Sequence, residues 1–401
     1  MTKKNILILN TTPYNKYLKD GDFIINKEKY NIFIISNKKR INELNSKDFK
    51  EIFCCEMNEE DKILQISCEI NNKNKIDHVI ALSEKTVLIA AKIRDHLHIK
   101  GMGYNETVPF RDKYVMIEKL NDKGIKVPDF SIITSYEEAL NFFNKYKKII
   151  FKPRLGIGSQ SVQVIESKES LEKVFEYIGN NIYSYIMEEF IEGTMYCCDT
   201  IIQNGNIKLC NVTKYLGSTL DFSSKNSLGF VVEDDIRILD KIERFNEDVI
   251  KSLNMKDGVT HHEMFLNENN EIVFCEIACR IGGGNLVEEF EIMYGLNLYE
   301  CSICLELGEK LPKYKKNSIC AGFIMFYYKD GEINEISYGD LLYNKWIKSY
   351  EIFAQTGNKA LVAKHSTDTA AYFIVTGENS NDVTNKLTSI KNQFNISYVN
   401  N

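Results

Sequence analysis

The sequence predicts an α/β protein that begins with a parallel α/β unit and passes through a mixed region into a strand-rich tail. Three observations predict it. Short apolar runs at 6–10, 31–36 and 78–82 alternate with helical or loop stretches, the pattern of strands joined by crossovers. Two strand-like runs, 261–266 and 272–276, flank an Asn269-Asn270 turn and read as a hairpin. Beyond Pro312 the runs 321–328 and 370–376 read as strands and 380–394 as a helix.

Taken in order, 6–10 is the first strand. Its following turn, Asn10-Thr11-Thr12-Pro13, carries no GxGxxG, so a dinucleotide site is not supported there. Residues 86–97 read as a helix. Arg111-Asp112-Lys113 opens another helix over 113–122, which Gly124 to Pro128 stops. A helix over 135–146 and a strand over 148–152 follow. Residues 184–193 read as a strand that runs into an acidic turn, Glu188-Glu189-Phe190-Ile191-Glu192-Gly193.

Composition excludes several classes. The 401 residues hold 50 basic and 56 acidic side chains, a net charge of −6, with no dense basic patch, so nucleic acid is not an expected partner. No apolar run is long enough to span a bilayer, and the first residues are too short for a secretory signal. Eleven cysteines without a small-scaffold spacing point to reduced thiols in a cytoplasm. Cys301-Ser302-Ile303-Cys304 is formally a CxxC, but it falls in a helix with no second pair and reads as structural.

Glu263 and Glu276 carry the most chemistry. A turn centred between Asn269 and Asn270 pairs residues whose numbers sum to 539, so Phe265 faces Phe274 and Glu263 faces Glu276. Like charges opposed at roughly 5 Å destabilise a sheet unless a cation sits between them. Two converging carboxylates are hard oxygen ligands of the kind Mg²⁺ takes together with phosphates. An exposed hairpin with splayed carboxylates fits these residues equally well. Lys152 ends a strand before Gly156-Ile157-Gly158-Ser159-Gln160-Ser161-Val162, whose backbone N–H groups can approach anionic oxygens. No GK[ST] follows the glycines, so this is not a Walker A loop, and an ordinary hairpin also fits.

The order and spacing of these parts resemble the ATP-grasp superfamily. The parts are Lys113, Lys152 with its Gly/Ser loop, the Glu188–Glu192 hinge, Glu263, and Glu276 running into Arg280-Ile281-Gly282-Gly283-Gly284. Within that superfamily the chain looks most like carboxylate–amine ligases of the L-amino-acid ligase (dipeptide synthetase) type, over about residues 76–310. The resemblance implies an ATP-grasp fold with a pre-ATP-grasp domain over 1–110 and a mobile lid subdomain over 111–186. A catalytic subdomain over 187–315 and a small C-terminal α+β domain over 316–401 complete it.

It also implies roles. Lys113 and Lys152 match the lysines on nucleotide phosphates. Gly158, Ser159, Gln160, Ser161 and Val162 match the loop over the γ-phosphate. Glu188, Glu189, Phe190 and Ile191 match the adenine hinge, with backbone contacts from Glu189 and Ile191. Glu263 and Glu276 match the carboxylates for Mg²⁺ or Mn²⁺, and Arg280 matches the arginine on the acyl phosphate. His261 is expected on the carboxylate face and His262 away from it. Three departures stand out: Ala278 replaces a usual Asn after the second metal glutamate, Met195 replaces an acidic ribose residue for which Glu192 can substitute, and Ser161 replaces a loop glycine. Tyr215, Phe222, Met293 and Tyr294 are candidate pocket residues.

The implied activity is ATP-dependent joining of a carboxylate, an amino acid above all, to an amine, with release of ADP and phosphate. A homodimer is a common state in the family. Two other readings stay open from sequence: a carboxylating enzyme of the biotin carboxylase kind, and a nucleotide-binding module without catalysis.

Overall fold

The computed structural model describes residues 2–158, 161–220, 227–363 and 368–399. Strands β1 (Lys4–Asn10), β2 (Tyr30–Ser36), β3 (Glu51–Cys54) and, after helix α1 (Glu60–Lys73), β4 (His78–Ala81) form a parallel sheet in the order β3-β2-β1-β4. Ile6, Leu7, Ile8 and Leu9 are all buried, because both faces of the sheet are covered. Ile63 and Ile70 of α1 and Val87, Ile89 and Ile93 of α2 (Val87–Leu97) cover one face. Ile303 and Leu307, from far along the chain, help cover the other.

Helix α3 (Lys113–Asn121) is capped by the Asp112 carboxylate, which accepts from the Tyr114 and Val115 N–H groups. Next come β5 (Phe130–Ile132), α4 (Tyr136–Tyr146), β6 (Ile149–Pro153), β7 (Gln163–Ile165), α5 (Lys168–Ile178) and β8 (Tyr185–Glu189). The strands pair as an antiparallel sheet, β5-β8-β6-β7, over a core of Ala139, Phe143, Phe151, Leu171 and Val174. Helix α3 packs elsewhere: Met116, Ile117 and Leu120 join Val249, Ile250 and Leu253 of the helix α6 (Ile236–Leu253).

Among the described residues the largest sheet has eight strands. Before α6 come β9 (Gly193–Gln203), β10 (Asn206–Tyr215) and β11 (Ser227–Val232), and after it β12 (Gly258–Asn267) and β13 (Ile272–Ala278). Helices α7 (Leu286–Tyr294) and α8 (Leu298–Glu306) precede β14 (Cys320–Tyr327), β15 (Gly331–Ser337), β16 (Ile347–Ile352) and β17 (Thr369–Gly377). The order is β13-β12-β9-β10-β11-β14-β17-β16, so strands from the tail continue the sheet that carries the hairpin. Helix α9 (Ser380–Gln393) packs Val383, Leu387 and Ile390 on that sheet, and β18 (Asn395–Val399) pairs with β15.

The hairpin departs from the expected register. Asn267 N–H donates to the Glu271 carbonyl, so Glu268, Asn269 and Asn270 form a three-residue loop, with Asn270 at φ 62°. Phe265 therefore faces Val273, and Phe274 faces Met264. A bulge at Cys275 then restores the sum, and Glu263 faces Glu276 as expected. The two offsets cancel at the carboxylates.

Candidate active site

The carboxyl ends of β1, β2 and β4, strand β6 and one face of β12 and β13 enclose a cleft of about 1180 Å³. Open parallel sheets bind ligands at that end of their strands. Glu263 and Glu276 both line the cleft, with side chains 22% and 25% exposed. Tyr215 Oη donates to Glu263 Oε1 at 2.8 Å, and His261 Nε2 lies 3.5 Å from the same oxygen. Burial works against the Glu263 charge, but His261 and Tyr215 outweigh it and lower the pKa. Glu276 Oε1 meets Lys113 Nζ at 2.9 Å. Burial opposes its charge too, yet Lys113, Lys152 and Arg280 hold the carboxyl below its ordinary range.

Lys113 also donates to the Gly156 carbonyl at 2.9 Å, tying the glycine loop to Glu276. Lys152 is buried and pairs with Glu188 at 2.7 Å. Lys152 faces Ile186 across the β6–β8 ladder, which puts Glu188, two residues on, on its side of the sheet. Burial opposes the Lys152 charge, and Glu188 overrides that and raises the pKa. Arg280 lies past the end of β13. Its Nε and Nη2 contact Glu84 Oε2 at 3.0 and 2.8 Å, and Nη1 donates to the Ile281 carbonyl at 2.8 Å.

The loop after β6 is anchored at its start. The Lys113 N–H donates to the Arg154 carbonyl, and the Arg154 guanidinium clasps Asp112 at 3.0 and 2.7 Å. Gly158 and Ser161 have φ of 61° and 59°, which accounts for a glycine preference at position 161 that this chain meets with serine. Gly156, Gly158 and Val162 line the cleft; Ser159 and Gln160 lie outside the described residues. Glu188, Glu189, Phe190, Ile191 and Glu192 line it as well. The Glu189 N–H is taken by the Asp129 carbonyl at 2.8 Å.

Beneath Glu263, His261 Nδ1 contacts Asp199 Oδ1 at 3.1 Å. Burial lowers the His261 pKa, but Asp199 and Glu263 prevail and pull it up to about 9. A side chain at Gly282 would stand 2.8 Å from Asp199 Oδ1 and 2.9 Å from His261 Nδ1, so only glycine lets the loop pass over this pair. Cys197 joins them in a buried trio whose ligand-type atoms lie within 4.8 Å. Burial and then Asp199 hold its thiol well above the usual range, so it sits there as a neutral packing group. His262 points away, as expected, onto Asn246 Oδ1 at 2.8 Å, and burial drops its pKa to about 3.

Residues 110–284 match the ATP-grasp domain family. That segment is an ATP-grasp domain. The L-arginine-specific L-amino acid ligase of Bacillus subtilis is 26% identical over 340 residues, covering 81% of this chain and 81% of that protein. The alanine–anticapsin ligase of Bacillus subtilis is 20% identical over 323 residues, covering 71% of this chain and 67% of that protein. The crystal structure of an L-amino acid ligase from Bacillus licheniformis superposes with a TM-score of 0.78 over 99% of both chains at 16% identity, which places the whole chain in the same fold.

The ATP-grasp domain contains Lys113, Lys152, the hinge, both glutamates and Arg280. Glu84 lies before it, in the turn after β4, and the sequence reading passed it over. The signal was its place directly after the run 78–82, where such sheets bind ligands. Asp199, the partner of His261, and the Tyr215 hydroxyl, the partner of Glu263, were also missed, because it is register across three strands that brings them there. Of the expected pocket aromatics, Tyr215 lines the cleft, Met293 and Tyr294 are buried in the core against Phe290, and Phe222 lies outside the described residues. Ala278 is buried opposite His261, and Met195 and Glu192 both line the cleft.

Proposed function

We propose that this chain is an ATP-dependent ligase that joins the carboxylate of an amino acid to an amine and releases ADP and phosphate. The observation that carries the reading is the convergence of Glu263, Glu276, Lys113, Lys152 and Arg280 on one cleft roofed by a glycine loop. The relatives whose names state an activity, an L-arginine-specific L-amino acid ligase and an alanine–anticapsin ligase, point the same way.

The donor set fits a hard divalent cation. Two carboxylates oppose each other on neighbouring strands, with Lys113 paired to Glu276 beside them. Glu263 and Glu276 would hold Mg²⁺ or Mn²⁺, which draws electron density from phosphate oxygens when bound. No third ligand comes from position 278, an alanine.

The protein's own groups do the rest. Lys113 and Lys152 neutralise the nucleotide phosphates, and the Glu188–Glu192 segment borders the adenine. A carboxylate oxygen of the acid attacks the γ-phosphorus, the bond to the β–γ bridging oxygen breaks and ADP departs, giving an acyl phosphate whose leaving group is phosphate rather than oxide. Arg280 offsets the charge that develops there. The amine then attacks the carbonyl carbon, loses a proton, and phosphate departs. Closure of the β5–β8 unit over the cleft excludes water, which would otherwise hydrolyse the acyl phosphate. The proposal includes cytoplasmic residence, on eleven free thiols, and a homodimer on family resemblance alone.

The test is an amino-acid matrix screened for phosphate release, with mass spectrometry of the products. Phosphate release with an amide product supports the ligase. ATP turnover that needs bicarbonate and no amine supports the carboxylating alternative instead.

A further inference from the structure

We infer that the part of the cleft beyond Glu263 is the side-chain subsite of the carboxylate substrate, and that it takes an apolar amino acid. This rests on the ligase reading above. The register of the large sheet carries it. Glu276, Glu263, Cys197 and Thr213 form one cross-strand row. Tyr215, two residues after Thr213, falls on the same face and begins a second row, Tyr215–Phe230–Phe323, with Leu228 facing Met325 beside it. The face therefore changes from carboxylates on β12 and β13 to carbon and sulfur on β11 and β14.

This apolar wall abuts the reacting end of the cleft at two points. Tyr215 Oη reaches Glu263 at 2.8 Å. A side chain at Gly284 would stand 3.2 Å from Met325 Sδ, and one at Gly282 would stand 2.7 Å from Leu286 Cδ1, so the loop after Arg280 runs along the wall. An acid whose carboxylate lies between Arg280 and Glu263 thus has its side chain against Tyr215, Leu228, Phe230, Leu286 and Met325, all of which line the cleft. The rings are fixed: Tyr215 and Phe230 lie 4.5 Å apart, and Phe230 stacks on Phe323 at 4.4 Å. A side chain laid along these carbon and sulfur groups gains by burying apolar surface, which an alkyl, thioether or phenyl group supplies and a charged head does not.

The experiment measures kcat/KM for different acids at fixed L-alanine as amine, with product order read by tandem mass spectrometry. Leucine, methionine and phenylalanine should exceed arginine, lysine and glutamate by at least about tenfold, and should occupy the acyl side of the dipeptide. Met325→Ala should raise the KM for methionine or leucine about tenfold and leave the KM for ATP unchanged. A charged acid that matches or beats the apolar ones, or an apolar residue found only on the amine side, overturns the subsite and leaves the ligase reading standing. An unchanged KM in a folded Met325→Ala protein overturns it too. Phosphate release with no acid–amine pair overturns the ligase reading and the subsite with it.

Discussion

The Arg280 guanidinium rests on one oxygen of Glu84, with Nε at 3.0 Å and Nη2 at 2.8 Å from Oε2. The other oxygen of that carboxylate holds Arg111 Nη1 at 2.5 Å, and Arg111 Nη2 donates to the Leu155 carbonyl at the start of the glycine loop. One buried carboxylate from the turn after β4 thereby fixes both Arg280, the arginine proposed for the acyl phosphate, and the root of the glycine loop. Glu84→Gln should lower kcat about tenfold or more while the KM for ATP changes little, because a misplaced group costs the reaction more than binding. The double variant Glu84→Gln/Arg280→Ala should be no slower than Arg280→Ala alone. Additive losses would show that Glu84 acts independently of Arg280.

The metal pair gives a second expectation. Glu276→Gln should abolish turnover with the fold retained, since the amide keeps shape and loses the charge that would hold the cation. Near-normal turnover at modest magnesium, with an unchanged melting temperature, contradicts the assignment.

How much of this was legible in the sequence differs from residue to residue. The order of Lys113, Lys152, Glu263, Glu276 and Arg280 exposed the family, and the alternating apolar runs exposed the parallel sheet. The opposition of Glu263 and Glu276 was predicted from a turn that is one residue too short, and it holds because the bulge at Cys275 compensates. A bulge depends on tertiary packing, and no residue type announces it at that position. Glu188 reads in sequence as part of a charged exit turn, yet it is a buried partner of Lys152, because the ladder pairing that joins them lies outside either segment. Glu84 is a single acidic residue in an unremarked turn, and only the fold brings it to Arg280.

Under the proposed function Lys152 has two tasks, and they separate. Lys152→Ala should weaken ATP binding by about 1.5–3 kcal/mol if one charge-assisted hydrogen bond is lost. It should also cost about 3–5 kcal/mol of stability, because Glu188 is left buried without its cation. Lys152→Met/Glu188→Gln should recover most of the stability and none of the ATP affinity. Arg280→Ala should leave ATP affinity near wild type and lower kcat. Equal loss of ATP binding in the Lys152 and Arg280 variants would make Arg280 a ground-state phosphate clamp.

Glu289 predicts a pH effect on stability. It is fully buried, accepts from Thr213 Oγ1 at 2.6 Å and Asn211 Nδ2 at 3.2 Å, and has its second oxygen unpartnered. Burial, with Asp199 nearby, raises its pKa from 4.5 to about 8, against the pull of Thr213 and Asn211. Between those values the unfolded chain has released this proton and the folded chain has kept it. Its contribution is therefore complete below the lower value and is lost as pH rises to the upper one, at up to about 1.4 kcal/mol per pH unit. Glu289→Gln, which mimics the neutral carboxyl, should flatten the decline in denaturant midpoint between pH 5 and 8. An unchanged slope would mean that Glu289 is ionised in the folded protein.

The central claim is that the cleft activates a carboxylate by transferring the γ-phosphoryl group to it. Nucleotide products should be resolved by chromatography while purified protein, magnesium and ATP are incubated with and without an amino-acid pair. The account predicts ADP and phosphate in equal amounts with the amide, formed only when an acid is present. AMP and pyrophosphate as the nucleotide products would contradict it.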